Sequence, residues 1–361
     1  MFLENHNNYL IIKEVNQIKE QNKNLKKINY GLSILKSILA FSVVSVHNFN
    51  PRTTNSKIIL IITKNTNIHV PSFFIMSFCF ISKKLLSLSI KFLVNRLSRL
   101  LIPYILWPII IYTINHILNS KYHTNLPESY NMLKLQLLWA SQYMRQFWFQ
   151  WDLIVITLLF FVIIFIYRKR TIIFLIFLLT LSYFFQYSGF YIKYVFLKLP
   201  RYNRFTITRI FEMIPFGVTG FVISYYDILN IFKAKSTKVI IISLLISIAV
   251  RYYNIFPKIK GLTYYGIPLN ITSSCIIFIF SLFPIDKIKN NFLLKLIVHL
   301  TNYTSGVYYL HITIRQYFRY FIYNINKATF KGIIINYLIC YFICFFGFLI
   351  FSKTPLKYLF S

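Results

Sequence analysis

Ten stretches of mostly apolar residues, most of them near the length needed to cross a bilayer, follow one another along the chain. They run over about 29–47, 69–82, 100–118, 148–167, 171–190, 210–232, 237–256, 262–283, 303–325 and 332–352. Crossing the hydrocarbon core takes about 20 such residues in a helix, which also satisfies its own backbone hydrogen bonds where there is no water. The expected fold class is therefore all-α: a polytopic transmembrane helix bundle with about ten spans. Only 13% of residues are charged and 57% are hydrophobic, against about 25% charged in soluble proteins. That excludes a soluble multidomain protein, a disordered chain and a disulfide scaffold. One domain fills 29–361. Residues 1–28 are polar and basic, lack the apolar core of a signal peptide, and read as a cytoplasmic tail. Residues 292–300 are too short to cross and read as an interfacial helix.

The chain has 40 Lys and Arg against 8 Asp and Glu. In a soluble protein this balance points to nucleic acid. Here the bases lie mostly between apolar spans, where topology and anionic lipid headgroups account for them, so no nucleic-acid partner is expected. The short stretches 83–99, 168–170, 233–238 and 287–295 are dense in Lys and Arg. They share a side with the N-terminus, so both termini are expected in the cytoplasm of a multi-pass integral membrane protein. Cys79, Cys275, Cys340 and Cys344 all lie in apolar runs; no His or acid accompanies them at metal-binding spacing, and no metal is expected.

A charge at membrane depth is costly and marks a functional residue by default. Lys36 lies well inside the first apolar run and His47 ends it. Their separation of eleven residues is about three helical turns, which puts both on one face about 16 Å apart along the axis. Further on come Phe73-Phe74-Ile75-Met76-Ser77, then Arg96-Leu97-Ser98-Arg99, Pro103-Tyr104 and Trp107. Arg96 and Arg99, at i and i+3 on a helix entering the membrane, are placed to clamp a phosphate. Late in the chain stands Tyr303-Thr304-Ser305-Gly306-Val307-Tyr308-Tyr309-Leu310-His311.

In this order the motifs resemble the membrane acyltransferase-3 family, ten-helix enzymes that O-acylate polysaccharides, lipids and other acceptors. The resemblance covers about 29–352 and includes Arg209-Ile210-Phe211-Glu212 with Pro215 and Gly217. Two positions depart from the family pattern: Lys36 stands where the family has Arg, and Phe78 where it usually has Gly. The resemblance implies an acyltransferase that moves an acyl group, most simply acetyl, from cytosolic acyl-CoA to a hydroxyl of a carbohydrate or lipid-linked acceptor. Acyl-CoA is then a substrate, and no permanently bound cofactor is implied.

Such a transfer needs a donor site, a base and charge stabilisation. Lys36, Arg96 and Arg99 are the expected donor-binding residues. His47 is the expected base, or the carrier of an acyl-histidine relay; its ring titrates near working pH. Asp152 and Glu212 begin spans on the far side and are expected level with His47, where either can accept its N–H. Ser77, Trp107, Tyr308 and His311 are the expected site lining. Three other readings stand beside this one. A transporter or flippase of an anionic substrate would use the same buried charges but would show broken helices in matching halves, and none is evident. A non-catalytic member of the family would keep the fold alone. The membrane-bound O-acyltransferase type would shift the key role from His47 to His311.

Overall fold

A computed structural model describes residues 30–48, 68–124, 126, 133–134, 145–188, 201–252, 266–283, 292–321 and 330–361. The tail over 1–28 lies outside the described residues. Among the described residues, eleven helices of ten residues or more follow in order: α1 Tyr30–Asn48, α2 His69–Leu86, α3 Ile90–Tyr122, α4 Trp148–Tyr167, α5 Thr171–Ser188, α6 Arg201–Tyr225, α7 Ser236–Tyr252, α8 Ile267–Leu282, α9 Phe292–Thr301, α10 Thr304–Phe321 and α11 Phe330–Phe351. No strand occurs among the described residues.

Among the described residues, five stretches are long and apolar enough to cross a membrane: Tyr30–His47, Ile90–Tyr122, Trp148–Gln186, Ile207–Tyr225 and Lys331–Phe351. Ser236–Val250 and Ile267–Leu282 are shorter apolar helices. Helices α2 and α10, at 18 residues each, are interrupted by polar side chains that serve the site described below. The outward faces of α7 and α11 are apolar and exposed, with Ile242, Leu245, Phe342, Phe346 and Ile350 among them, as a lipid-facing surface requires. The protein is thus a multi-pass, all-helical membrane bundle.

The stretch Trp148–Gln186 would be about 58 Å long as one helix, close to twice the hydrocarbon core. It folds back instead. Asp152, near its start, bonds Arg209, while Gln186, at its end, donates to the carbonyl of Phe211 at 3.2 Å. Both ends therefore meet the same turn of α6. The reversal falls at a 3₁₀ turn, Arg168–Arg170, whose three basic side chains are all exposed.

Two sequence boundaries move. The basic stretch 83–99 is helical on both sides of a tight turn, because Ser89 caps α3 by accepting from the Phe92 N–H at 3.2 Å. Helix α6 begins at Arg201 rather than near 210. Residues 292–300, expected as a short helix, lie in α9.

Helices α1 and α2 sit centrally. α1 packs on α2, α8, α9, α10 and α11; α2 packs on α1, α3, α4, α6 and α8. Leu32, Leu35 and Leu39 recur at helical spacing and turn one face of α1 into a core shared with α2, α4 and α6. Val43 and Val44, a turn later, enter a second core with α3, α10 and α11. Helices α2 and α6 touch backbone to backbone: a Cβ on Gly220 would lie 2.2 Å from the carbonyl oxygen of Ile75. Gly220→Ala is therefore expected to force these helices apart and cost at least about 1–3 kcal/mol. Thermal unfolding of the detergent-solubilised protein will show it as a lowered Tm; an unchanged Tm would contradict the close approach.

Phe78, at the position where the family usually has Gly, is fully buried, with its ring 4.9 Å from that of Phe160. Gly217 leaves it room, since a Cβ there would stand 3.3 Å from the Phe78 ring.

Candidate functional site

A cavity of about 510 Å³ opens at the seam between the two cores. Its wall is drawn from α1, α2, α3, α4 and α10, with Thr301 from the end of α9. Lys36, Ser77, Arg96, Gln150, Tyr308 and Tyr309 supply most of its polar chemistry. Its remaining lining is largely apolar, including Phe73, Met76 and Phe149. The volume is that of a small-molecule site.

The two cations are held by partners on different helices. Lys36 Nζ donates to the carbonyl oxygen of Thr301 at 3.1 Å. That carbonyl ends α9, where orphan C=O groups and the helix dipole favour a cation. Tyr341 donates to the next carbonyl, that of Leu300, at 2.7 Å. Helix α9 thus gives Lys36, inside an apolar helix, its partner. Arg96 donates to the Ser77 hydroxyl. Its Nε is buried and has no partner, so the guanidinium retains unspent donor capacity. Lys36 and Arg96 are close enough for their charges to repel, and an anion between them would relieve that.

Arg99 is placed differently. It is exposed, lies outside the cavity lining, and stacks over the ring of Tyr358 at 5.4 Å. The expected clamp of Arg96 with Arg99 on one group is therefore reduced to Arg96. Three residues advance a helix by about 300°, which leaves the two side chains about 60° apart. Trp107 also faces away from the cavity. Its indole donates to the carbonyl oxygen of Leu359 at 2.9 Å and so ties the C-terminal turn Pro355–Leu359 to α3. Gly306 admits this turn, since a Cβ there would meet the Phe360 carbonyl oxygen at 2.9 Å.

Two glutamines that the sequence reading did not single out clasp Tyr309. Gln146 donates to its carbonyl oxygen at 3.1 Å, and Gln150 to its hydroxyl at 3.1 Å. Gln150 also donates to the carbonyl oxygen of Leu100 at 2.6 Å. Both are 1% exposed. Their signal in the sequence was a four-residue spacing of amides within a run of aromatic residues.

The ring of Tyr308 joins the cavity to the histidines. It lies 5.3 Å from Phe149 and 5.8 Å from His311. The rings of His311 and His47 are 5.0 Å apart, centre to centre. Arg315, one turn beyond His311, donates to the backbone carbonyl of His47 and so meets the open end of α1. His47 and Lys36 share one helix with α10 alongside, in the order the spacing predicts.

The acids are elsewhere. Both oxygens of Asp152 are taken by Arg209, at 2.8 and 3.0 Å. The pair is buried, and Arg209 also stacks over Trp148 at 5.0 Å. Glu212, one turn along α6, lies in the field of both Asp152 and Arg209. For Asp152 the expectation that it orients His47 is corrected: the fold commits both its oxygens to Arg209, and the ring beside His47 is that of His311. Among the described residues, no three His, Cys, Asp or Glu side chains are placed to hold a metal.

A family model described as an acyltransferase domain matches residues 29–353. No curated protein and no solved structure matches the chain at a significant level. The family match spans every helix that builds the cavity and the histidine pair, and on that extent the chain belongs to the membrane acyltransferase-3 family.

Proposed function

We propose that this protein is a ten-pass membrane acyltransferase with both termini in the cytoplasm. It moves an acyl group, most simply acetyl, from cytosolic acyl-CoA to a hydroxyl of a carbohydrate or lipid-linked acceptor. The observation that carries this reading is the cavity, which brings Lys36, Ser77 and Arg96 from three helices against Tyr308 and Tyr309 of α10. A cavity with two cations at a polar side and apolar walls suits an anionic headgroup followed by an extended, less polar arm.

In this reading Arg96 and Lys36 hold phosphate oxygens of CoA by charge-assisted hydrogen bonds. The pantetheine arm runs along α1 past Tyr308, and the roughly 16 Å between Lys36 and His47 suits its extended length. His47 takes the proton of the acceptor hydroxyl as the oxygen attacks the thioester carbon. The new C–O bond forms, the C–S bond breaks, and the CoA thiolate leaves with the proton returned by His47. The acyl ester stays with the acceptor on the far side. Lys36 keeps the charge of the family's Arg but offers no planar fork, so it acts as a point charge braced on the end of α9.

Arg96 and Arg99 separate this account from one based on the motif alone. Arg96→Ala is expected to weaken acyl-CoA binding at least about tenfold, the loss of one hydrogen bond to a charged group. Arg99→Ala, outside the cavity, is expected to stay within about twofold. Equilibrium binding of labelled acetyl-CoA to the purified proteins checks both. Equal losses, or a larger one for Arg99→Ala, would overturn the assignment.

A further inference from the structure

His311 is fully buried in α10. Its Nδ1 lies 2.7 Å from the backbone carbonyl oxygen of Tyr308. A carbonyl oxygen only accepts, so Nδ1 carries the hydrogen. In the neutral ring the lone pair is then on Nε2. That atom is shut off from solvent and has no hydrogen-bond partner in the structure. An unmet buried acceptor is costly, and each one calls for a physical reason. The ring of His47 stands beside it, 5.0 Å away and tilted by 44°.

We propose that His311 is the positioning residue of His47: its Nε2 accepts the His47 N–H, through a small rotation of the ring or one bridging water. It fills the place of the carboxylate that Asp152, held by Arg209, does not supply. With one ring N–H pinned to His311, the other nitrogen of His47 holds its lone pair toward the acceptor hydroxyl. When His47 takes the hydroxyl proton it becomes a double donor, and its first N–H stays on His311. A neutral histidine adds no counter-charge, so its contribution is tautomer and orientation. Asn336 of α11 steadies the arrangement by donating to the His311 backbone carbonyl at 3.2 Å.

This inference rests on the acyltransferase reading, and its test separates the two. The protein, labelled with ¹⁵N at the histidine rings and reconstituted in bilayers, is studied by solid-state NMR, with His47→Gln assigning the His47 signals. In the wild type, His47 is expected as a single neutral tautomer, and Nε2 of His311 as an unprotonated, hydrogen-bonded nitrogen. In His311→Phe the His47 signals should split between two tautomers; in His311→Gln, whose amide oxygen accepts, one tautomer should return. In parallel, His311→Phe should lower kcat about 10²-fold with the KM for acyl-CoA unchanged, and His311→Gln should recover at least tenfold of that. A mixed His47 tautomer in the wild type overturns the proposal even if no variant folds. So does an unchanged His47 spectrum, or an unchanged kcat, in His311→Phe. A protein that shows the single tautomer and its loss in His311→Phe but transfers no acyl group would overturn the functional reading and leave the histidine pair standing.

Discussion

His47→Gln is expected to lower acyl transfer by about three orders of magnitude, within the range a positioned general base supplies. Binding of acyl-CoA should change by less than about twofold. The two effects part because the base and the donor cavity are set at different depths of one helix. Lys36 lines the cavity and His47 does not; about 16 Å of helix rise separates them. Glutamine keeps the helix and leaves the backbone carbonyl that Arg315 meets, so the variant should fold. Initial rates in proteoliposomes, beside equilibrium binding, check both halves of the expectation. A His47→Gln protein that transfers acyl groups at the normal rate would remove His47 from the mechanism. If His311 variants alone then lost activity, the base would be His311.

Asp152→Asn is expected to cost about 3–5 kcal/mol of stability, the penalty for leaving a buried charge without its partner. The residue is fully buried, as is most of Arg209, and both carboxylate oxygens are engaged. The amide that replaces it offers one acceptor where the guanidinium has two donors aimed, and it carries no charge. Arg209→Met should do similar harm from the other side. The double variant Asp152→Leu/Arg209→Met should recover much of the loss, since removing both charges leaves none stranded. Thermal unfolding of the wild type and the three variants checks this order. The pair also divides two roles for Asp152. A stable Asp152→Asn protein with no activity would return the acid to the chemistry, whereas an unstable one that works when folded would keep it in the scaffold.

The chain's hydropathy made the all-helical bundle legible, and the short helix α9 with it. The spacing of Lys36 and His47 also carried over, because one helix fixes both depth and face. Depth alone was not enough for Asp152. A span start tells how far along the membrane normal a residue lies, but not which helix it faces, and its partner Arg209 is 57 residues away. Arg99 and Trp107 belong to motifs read as a unit, yet each is turned toward the C-terminal residues Tyr358 and Leu359. Where that turn packs is a tertiary fact outside the reach of any local pattern. Gln146 and Gln150 were overlooked for the opposite reason: amides at a span start look like interfacial residues until a facing tyrosine shows what they hold. His311 was read as site lining, but its role depends on which ring nitrogen its own helix occupies.

The central claim is that the cavity beneath the histidine pair holds acyl-CoA with its acyl end toward His47. A photoreactive acyl-CoA, applied to the reconstituted protein and followed by peptide mapping, tests it most directly. The account predicts adducts on α1, α2 and α10 near the cavity, displaced by unlabelled CoA and lost in Arg96→Ala. A folded protein that gives no displaceable labelling, or labelling confined to the lipid-facing side of α7, would contradict it.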